Sequence, residues 1–329
     1  MTLDRRSRVF VAGHRGLAGS AVLRALRAAG YAELITRSHA ELDLTQQDAV
    51  REFFEQQKPQ AVVLAAAKVG GIGANGAFPA DFIRENLAIQ DNVIHESLRA
   101  GVRRLLFLGS SCIYPRDCPQ PIREESLLTG PLEATNRAYA IAKIAGIEMC
   151  GACNEQYGTE YICAMPTNLY GIGDNYDLAT SHVLPALIRK AHEAKAAGHA
   201  EMTAWGTGEP RREFLLSDDL ARACVLLLEK DWAGLVAALP GVRLPLVNVG
   251  TGTDVTIREL AELVCRVVGV RCAIRWDTTR PDGTPRKLLD VSRVHSLGWR
   301  AAVPLEQGIG LAYRDFLARR DARAAAQVP

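Results

Sequence analysis

The sequence lacks long apolar runs. Its apolar stretches, such as 61–67 and 105–108, are far shorter than the roughly 20 residues that a membrane-spanning helix requires. The first residues carry several charges and lead into a short strand pattern, without the apolar region or cleavage site of a signal peptide. We therefore predict a cytoplasmic protein with no membrane partner.

An excess of charge of either sign is also absent. The chain has 39 Lys and Arg against 37 Asp and Glu, a formal net charge of +2. A chain balanced in this way has no overall field that would attract nucleic acid. We therefore expect no nucleic-acid partner, and any anionic ligand must be bound by local groups.

The eight cysteines form neither a disulfide framework nor a metal-binding pattern. They are scattered along the chain, and a cytoplasmic protein of this size keeps its thiols reduced. Cys150 and Cys153 have a C-x-x-C spacing, but they lie in an Ala-rich helical pattern without a second pair or nearby histidines. Packing is favoured there over metal or redox use, and we predict no metal site.

The order of predicted elements indicates the fold class. In the first half of the 329 residues, short β-like runs alternate with helical stretches, as in a parallel sheet covered on both faces. We predict an α/β fold in which residues 1–173 form a Rossmann-type doubly wound parallel sheet. Residues 174–329 would form a smaller, mixed α/β substrate-binding domain, with segments near 212–225 and 246–252 returning to the larger one.

Periodicity and capping signals define the individual elements. The predicted strands cover 8–12, 33–37, 61–66, 104–108 and 161–165. The predicted helices cover 18–29, 45–57, 79–100, 139–157, 183–197, 218–230 and 257–268. The Arg/Ala-rich segment after Leu317 is expected to fray.

A glycine-rich loop follows the first predicted strand. Gly13, Gly16 and Gly19 permit a tight turn and close approach of the backbone to a pyrophosphate, which the N–H groups of the next helix would bind. The alternative is a glycine-rich strand-to-helix turn without a ligand, but the context favours a dinucleotide. The other predicted cofactor contacts in this loop are His14, Arg15, Leu17 and Ala18.

The charges near this loop favour NADP(H) over NAD(H). Arg37 ends the second predicted strand, where an acidic residue would usually bind a 2′-hydroxyl, and Arg15 lies in the loop itself. Cations at these positions suit a 2′-phosphate, although each would also be ordinary as a surface charge. Asp43 is a candidate for the adenine amino group or for capping the helix predicted to begin at Thr45.

Tyr139 and Lys143 share one face of a predicted helix at i and i+4, and they follow the strand end at Ser110 by about 30 residues. The ammonium is expected to lower the pKa of the phenol, which then protonates a carbonyl oxygen that Ser110 polarises. A surface helix is the alternative. Cys112 would act as a base near a cation, or would be a small buried residue; the residues alone leave both open.

Taken together, several stretches resemble the GDP-L-fucose synthase family of extended short-chain dehydrogenases/reductases. The most specific are Ser-Ser-Cys at 110–112 and Pro-Asp-Gly-Thr-Pro-Arg-Lys at 281–287; the others lie at 11–16, 65–71, 139–146 and 165–171. The resemblance implies a bifunctional 3,5-epimerase/4-reductase that acts on GDP-4-keto-6-deoxy-D-mannose with NADPH. It also implies a homodimer formed through the helices at 79–100 and 139–157.

The resemblance also implies roles for individual residues. Cys112 would remove the C3 and C5 protons, His182 would return protons on the opposite face, Tyr139 would protonate O4, and Lys143 would also hold the nicotinamide ribose. His39 falls where some relatives have a 2′-phosphate arginine. Further cofactor contacts would be Leu108, Gly109, Ser110, Ser111, Pro166, Thr167, Asn168, Leu169 and His182, and the GDP-sugar would contact Lys190, Trp205, Arg212, Asp282 and Lys287.

Four other functions compete with this interpretation. A 4,6-dehydratase would show Asp-Glu after the active-site Ser, where this chain has Ser111 and Cys112, and a 4-epimerase would lack the pair of Cys112 and His182. GDP-L-colitose synthase performs the same chemistry on a 3-deoxy sugar, and these motifs separate it poorly. A non-catalytic NADP-sensing protein would have lost Tyr139 or Lys143.

Overall fold

The computed structural model describes residues 3–239, 245–280 and 282–325. The strands are β1 (Val9–Ala12), β2 (Leu34–Ile35), β3 (Ala61–Leu64), β4 (Arg104–Leu108), β5 (Glu160–Pro166), β6 (Asn168–Tyr170), β7 (Glu201–Trp205), β8 (Arg211–Leu216), β9 (Leu246–Val249), β10 (Asp254–Thr256), β11 (Ala273–Asp277) and β12 (Arg286–Lys287). The helices are α1 (Leu17–Ala28), α2 (Gln47–Gln57), α3 (Ile72–Ala77), α4 (Pro79–Arg99), α5 (Arg137–Tyr157), α6 (Val183–Ala197), α7 (Ser217–Glu229), α8 (Trp232–Ala238), α9 (Ile257–Val268), α10 (Ser292–Ser296) and α11 (Leu305–Ala325).

A six-stranded parallel sheet forms the centre of the molecule, in the order β2-β1-β3-β4-β5-β9. Every residue of β1, β3, β4, β5 and β9 is buried, as expected for a sheet with helices on both faces. The strand order reverses between β1 and β3, and ligands of such sheets bind beyond the carboxyl ends of the strands at that point. The predicted doubly wound α/β fold is confirmed.

Two pairs of helices cover this sheet. α4 packs against α5, and α1 packs against α7. Arg24 on α1 donates to both carboxylate oxygens of Asp218 on α7, at 2.9 and 3.0 Å. This bidentate pair joins two helices that are almost 200 residues apart in sequence, so α7 belongs with the helices of the central sheet.

The remaining strands form two smaller sheets. β8 pairs with β10 antiparallel and with β12 and β6 parallel, while β7 pairs with β11 parallel. A second apolar cluster, separate from that of the central sheet, includes residues of α6, α9 and α11. β9 lies in the central sheet, so the chain crosses between the two parts more than once. The division at residue 173 stays a prediction.

Several predicted boundaries were wrong. α2 begins at Gln47 rather than Thr45, because the Asp43 carboxylate accepts the Thr45 N–H in a separate turn at 2.9 Å. β2 has only two residues, and α3, β7 and β11 were not predicted. The expected fraying after Leu317 is also wrong up to Ala325, since α11 continues that far and Arg319 donates to the Asp174 carbonyl at 2.8 Å.

Candidate active site

The glycine loop lies where β1 ends beside β3. Gly13 has φ of +86°, and a Cβ on it would lie 2.6 Å from the backbone nitrogen of Ala66. A Cβ on Gly19 would lie 2.1 Å from the carbonyl oxygen of Gly13. Glycine at these two positions therefore lets the loop pack against β3 and against the first turn of α1.

The start of α1 suits a pyrophosphate. Gly16 is the N-cap of this helix, no side chain caps it, and its first turn holds no acidic residue. The unpaired N–H groups and the helix dipole therefore favour an anion at this end. The buried Nδ1 of His14 has no partner in the described part of the chain, and Arg15 is exposed beside it. Burial, with help from Arg15, lowers the pKa of His14.

Arg37 is positioned at the end of β2. Its guanidinium lies over the Phe53 ring, 5.4 Å from the centroid, and donates to the Thr36 carbonyl at 2.8 Å. Exposed His39 is 3.9 Å from the Asp43 carboxylate, which also accepts the backbone and hydroxyl of Thr45. Asp43 thus stabilises the turn before α2 and does not cap the helix, whose N-cap is Gln46, so the predicted helix-capping role is wrong. Its adenine contact stays a prediction.

Lys143 lies under the end of β4. Its Nζ donates to the Leu108 carbonyl at 2.8 Å and lies 4.7 Å from the Phe107 ring centroid. Tyr139 is one turn earlier on α5, with its ring centroid 5.9 Å from the same Nζ. Phe82 on α4 packs edge-on against Tyr139 at 6.3 Å. α4 and α5 therefore hold the phenol and the ammonium on one side of the cleft.

Burial has the largest effect on the pKa of both Tyr139 and Lys143. It raises the pKa of the Tyr139 phenol, and Cys112 adds to the rise. Burial also lowers the pKa of Lys143 to about 8. The expectation of a lowered pKa for Tyr139 is wrong for this structure, because burial of the phenol outweighs any stabilisation of the phenolate by Lys143, whose ammonium donates to the Leu108 carbonyl.

Ser110 and Cys112 lie in the turn that follows β4. The Ser110 hydroxyl accepts the Cys112 N–H at 3.4 Å, and residues 111–113 form one turn of 3₁₀ helix. Cys112 is 7% exposed and Ser111 4%. Burial raises the pKa of the Cys112 thiol, while Lys287, Ser110 and Lys143 oppose that rise. The structure therefore brings a thiol, a hydroxyl and two ammonium groups together.

His182 is the N-cap of α6, and its side chain is exposed and makes no capping bond. Although part of the ring reaches solvent, protein atoms that surround it limit its hydration, and this desolvation lowers the pKa of the imidazole below the usual 6.5. A Cβ on Gly71 would lie 3.2 Å from the Ser181 carbonyl, so the segment before α6 lies against the loop after β3. Within the described ranges, no hydrogen bond joins His182 to Cys112 or Tyr139.

The predicted nicotinamide segment connects β5 and β6. The Thr167 hydroxyl and the Asn168 amide both donate to the Glu213 carbonyl on β8, at 3.1 and 2.8 Å. A Cβ on Gly109 would lie 2.1 Å from the Met165 methyl group. These contacts hold the ends of β4 and β5 close together, beside Lys143. Pro166 is buried, and Leu169 is half-buried.

Trp205 lies at the end of β7 and is 52% exposed. Two cations flank its ring: the Nζ of Lys190 at 5.4 Å and the guanidinium of Arg280 at 5.0 Å from the centroid. The Lys190 ammonium also donates to the Thr203 carbonyl at 3.0 Å. Exposed aromatic rings offer stacking surfaces to planar bases, and cations beside them attract anions.

Arg212 and Asp282 meet at the turn that follows β7. Arg212 donates to the Asp282 carbonyl at 3.5 Å, and burial lowers the pKa of its guanidinium, which Asp282 and Glu133 oppose. The Asp282 carboxylate accepts the backbone and hydroxyl of Thr207, at 2.8 and 2.9 Å. Thr207 follows Trp205 by two residues, so these contacts link the predicted GDP residues.

Lys287 differs from the other predicted substrate residues. It is the partner of Arg212 in the β8–β12 pair, yet it lies against Cys112, in a cavity that Glu133 also lines. Sequence reasoning missed Arg280 and Glu133. The signal for Arg280 was its place directly before the specific 281–287 block, of which Pro281 lies outside the described residues.

Within residues 3–239, 245–280 and 282–325, no metal cluster, disulfide or membrane span accompanies this site. All eight cysteines are free, and the described ranges contain no group of His, Cys, Asp or Glu arranged to hold a metal ion. Among the helices described, none is long and apolar enough to cross a bilayer. Cys150 and Cys153 are buried in α5, as packing predicts.

Comparison with known proteins places the chain in a family. A model described as the NAD dependent epimerase/dehydratase family matches residues 9–237. The chain belongs to this family. It is similar to a probable GDP-L-fucose synthase 1 of Oryza sativa subsp. japonica, with 57% identity over 315 residues, which are 95% of this chain and 93% of the relative. The resemblance found in the sequence motifs is thereby confirmed.

Two further comparisons bear on substrate and cofactor. A GDP-L-colitose synthase of Yersinia pseudotuberculosis is 36% identical over 312 residues, covering 94% of this chain and 98% of the relative. A solved structure of a GDP-L-fucose synthetase from Naegleria fowleri bound to NADP has a TM-score of 0.87 and 26% identity. That match covers 98% of this chain and 96% of the other.

Proposed function

We propose that this chain is an NADPH-dependent 3,5-epimerase/4-reductase that converts GDP-4-keto-6-deoxy-D-mannose to GDP-L-fucose. The observation that carries the proposal is the meeting of two catalytic sets at the end of β4. Tyr139 and Lys143 form a reductase pair, and Cys112 supplies a thiol that a simple reductase does not need. The 57% identity to a probable GDP-L-fucose synthase supports the same substrate.

NADP(H) fits the residues at the end of β1. The close approach of Gly13 and Gly19, the uncapped start of α1, and the unpaired Nδ1 of His14 suit the pyrophosphate. Arg15 and Arg37 would hold the 2′-phosphate, and the NADP bound to the Naegleria fowleri protein supports this choice. When bound, NADPH supplies the hydride for C4.

Epimerisation requires a base and an acid on opposite faces of the sugar. The C3 and C5 protons are acidic because both carbons flank the C4 ketone. The Cys112 thiolate removes one such proton and becomes a thiol, leaving an enolate that Ser110 stabilises at O4. His182 then delivers a proton to the opposite face, and the two groups exchange protons with solvent before the second carbon reacts. This assignment rests on the family resemblance and on the exposed position of His182.

Reduction completes the sequence at C4. As hydride reaches C4, the Tyr139 hydroxyl protonates O4, and Lys143 lies close enough to stabilise the phenolate that forms. Burial raises the pKa of this phenol and so keeps it protonated until that step. Lys143 would also hold the nicotinamide ribose, beside the Pro166 to Leu169 segment.

The nucleotide binds the smaller sheets in this proposal. Guanine stacks on Trp205, where Lys190 and Arg280 flank the ring, and Arg212 binds the diphosphate. Asp282 positions the turn after β7 through its bonds to Thr207. Lys190 keeps the charge of an arginine but not its bidentate fork.

We include a homodimer and a cytoplasmic location in the proposal. Leu87 on α4 and Ile141 and Tyr157 on α5 are apolar side chains exposed on two long, adjacent helices, which would pair with a second copy. The eight free cysteines support a reducing compartment.

A direct assay separates the proposal from the colitose alternative. NADPH oxidation is measured with GDP-4-keto-6-deoxy-D-mannose and with its 3-deoxy analogue in parallel. We expect turnover with the first sugar at a kcat/KM at least about tenfold higher, because the chain is 57% identical to a fucose synthase and 36% identical to a colitose synthase. Oxidation with the 3-deoxy sugar alone would establish the colitose activity instead.

A further inference from the structure

Lys287 and Cys112 both line one small cavity. Cys112 belongs to the turn after β4, whereas Lys287 ends β12. The cavity is also lined by Glu133, Thr284 and Gln120. The thiol and the ammonium are thus brought together by two segments that are far apart in the sequence.

The backbone contacts that hold Lys287 in place belong to the segment that carries Cys112. Leu288 donates to the Gln120 side chain at 2.9 Å, and Ile122 donates to the Leu288 carbonyl at 2.7 Å. On its other side, Lys287 is paired with Arg212 in the parallel β8–β12 ladder. The backbone position of Lys287 next to the loop that follows Cys112 is therefore set by the fold.

In the described part of the chain, the Lys287 ammonium forms no ion pair or hydrogen bond, although the Glu133 carboxylate acts on it from nearby. Among the residues that the structure describes, no carboxylate or carbonyl oxygen accepts a hydrogen bond from it. Lys143, by comparison, donates to the Leu108 carbonyl. The nearby Glu133 carboxylate is engaged by Thr135, Thr284 and Arg116, at 3.3 to 3.5 Å. The charge of Lys287 remains available to the group it faces.

Other charged or titratable groups also surround this pair. Tyr139 and Lys143 face Cys112 from α5, and Arg212 faces Lys287 from β8. Cys118 and Glu133 lie on the loops nearby. Burial raises the pKa of Cys112, and Lys287 opposes that rise more strongly than Ser110 or Lys143 does. Lys287 is thus the main counter-charge to a Cys112 thiolate.

We propose that Lys287 is a positioning residue whose ammonium stabilises the thiolate form of Cys112 against the burial that disfavours it, rather than a ligand of the GDP diphosphate. The role in catalysis rests on the proposed function, since only the thiolate can accept the C3 and C5 protons. Lys143 remains free for Tyr139 and the ribose. Two lysines would thus serve the two half-reactions separately, Lys287 the epimerisation and Lys143 the reduction.

The test is a titration of Cys112 without any sugar. Thiolate ultraviolet absorbance is followed against pH, and the Cys112→Ser variant is subtracted to remove the other seven cysteines. We expect Lys287→Met and Lys287→Gln to move the Cys112 transition up by about one pH unit or more, a roughly tenfold loss of thiolate at a fixed pH. Lys287→Arg, which keeps the charge, should titrate like the unmodified chain.

A neighbouring cation provides the control. Arg286 lies on the same strand and lines the same cavity, but its guanidinium is paired with Asp254 at 2.6 Å. Arg286→Met should leave the Cys112 transition in place. An unmoved transition in both neutral Lys287 variants would overturn the inference. An equal shift in Lys287→Arg would also overturn it, because shape rather than charge would then be responsible.

A second readout separates this inference from the proposed function. With the ketosugar, the pH profile of solvent deuterium entry at C3 should move upward in Lys287→Met, as the titration does. If the unmodified chain turns over no GDP-ketosugar while the titration responds to Lys287, the proposed function fails and the thiolate pairing stands. If the sugar turns over but the exchange profile does not move, the catalytic role of Lys287 is refuted.

Discussion

Replacing Gly13 and Gly30 with alanine tests the cofactor loop with a matched pair. The two glycines have nearly the same backbone, with φ of +86° and +88°. Each alanine therefore costs roughly 1–2 kcal/mol of folding free energy from the left-handed conformation. They differ in surroundings. A Cβ on Gly30 meets nothing within 4 Å, whereas one on Gly13 lies 2.6 Å from the Ala66 nitrogen, about 0.8 Å short of ordinary contact.

The Cβ of an alanine at position 13 would clash with backbone atoms of Ala65 and Ala66, which, unlike a side chain, cannot rotate away. The loop must move away from β3, and the N–H groups at the start of α1 move with it. We expect Gly13→Ala to raise the Kd for NADPH at least about tenfold, or about 1.4 kcal/mol, measured by the fluorescence of the bound nicotinamide. Gly30→Ala should have a lower free energy of unfolding in urea but an unchanged Kd for NADPH. Unchanged NADPH binding by Gly13→Ala, in a folded protein, would refute the placement of the cofactor.

Two further predictions concern the charged groups of the site. Arg37→Ala should lower the ratio of kcat/KM for NADPH over NADH at least about tenfold. The control is Arg27→Ala, which removes an exposed cation at the end of α1 and should leave that ratio unchanged. If Arg37→Ala kept the ratio of the unmodified chain, Arg37 would not belong to the 2′-phosphate site. Because burial lowers the pKa of Lys143 from 10.5 to about 8, the unfolded chain holds more protons between those values. The unfolding free energy of the unmodified chain should therefore rise with pH across that window relative to Lys143→Met. If the unfolding free energy measured in urea changed equally in the two proteins between pH 7.5 and 9.5, the lowered pKa of Lys143 would be contradicted.

Elements with strong local signals were predicted at their observed bounds. α9 follows a complete capping box between Thr256 and Glu259 and ends at Gly269, which has φ of +75°. α6 ends at Gly198 in the same left-handed conformation. Caps of this kind depend on residues a few positions apart, so they are visible in the sequence itself.

Elements that depend on distant partners were not predictable. β7 exists because it pairs with β11 some 70 residues later. Each segment has only five residues, which is too short for its alternation to identify a strand alone. α3 has a glycine-rich sequence with low helix propensity, and its position directly before α4 supports it. In both cases tertiary context overrides the weak local preference.

In the candidate site, too, features that depend on neighbouring residues were predictable and features that depend on distant residues were not. The i, i+4 spacing of Tyr139 and Lys143 and the position of Ser110 after a strand are local, and they predicted a reductase site. The proximity of Lys287 to Cys112 depends on the β8–β12 pair and on the contacts of Leu288. The acidity of Tyr139 depends on its burial, which the spacing does not reveal. The sequence therefore predicted the candidate reacting groups but not the electrostatic environment of the thiol and the phenol.

The central claim is that one site first epimerises through Cys112 and then reduces through Tyr139. The most direct test follows GDP-4-keto-6-deoxy-D-mannose and NADPH in deuterated water with Tyr139→Phe and Cys112→Ser. We predict that Tyr139→Phe incorporates deuterium at C3 and C5 without oxidising NADPH, and that Cys112→Ser incorporates none at either carbon. Undiminished deuterium exchange in Cys112→Ser would contradict the account. A folded Tyr139→Phe variant that lost both deuterium exchange and NADPH oxidation would also contradict it.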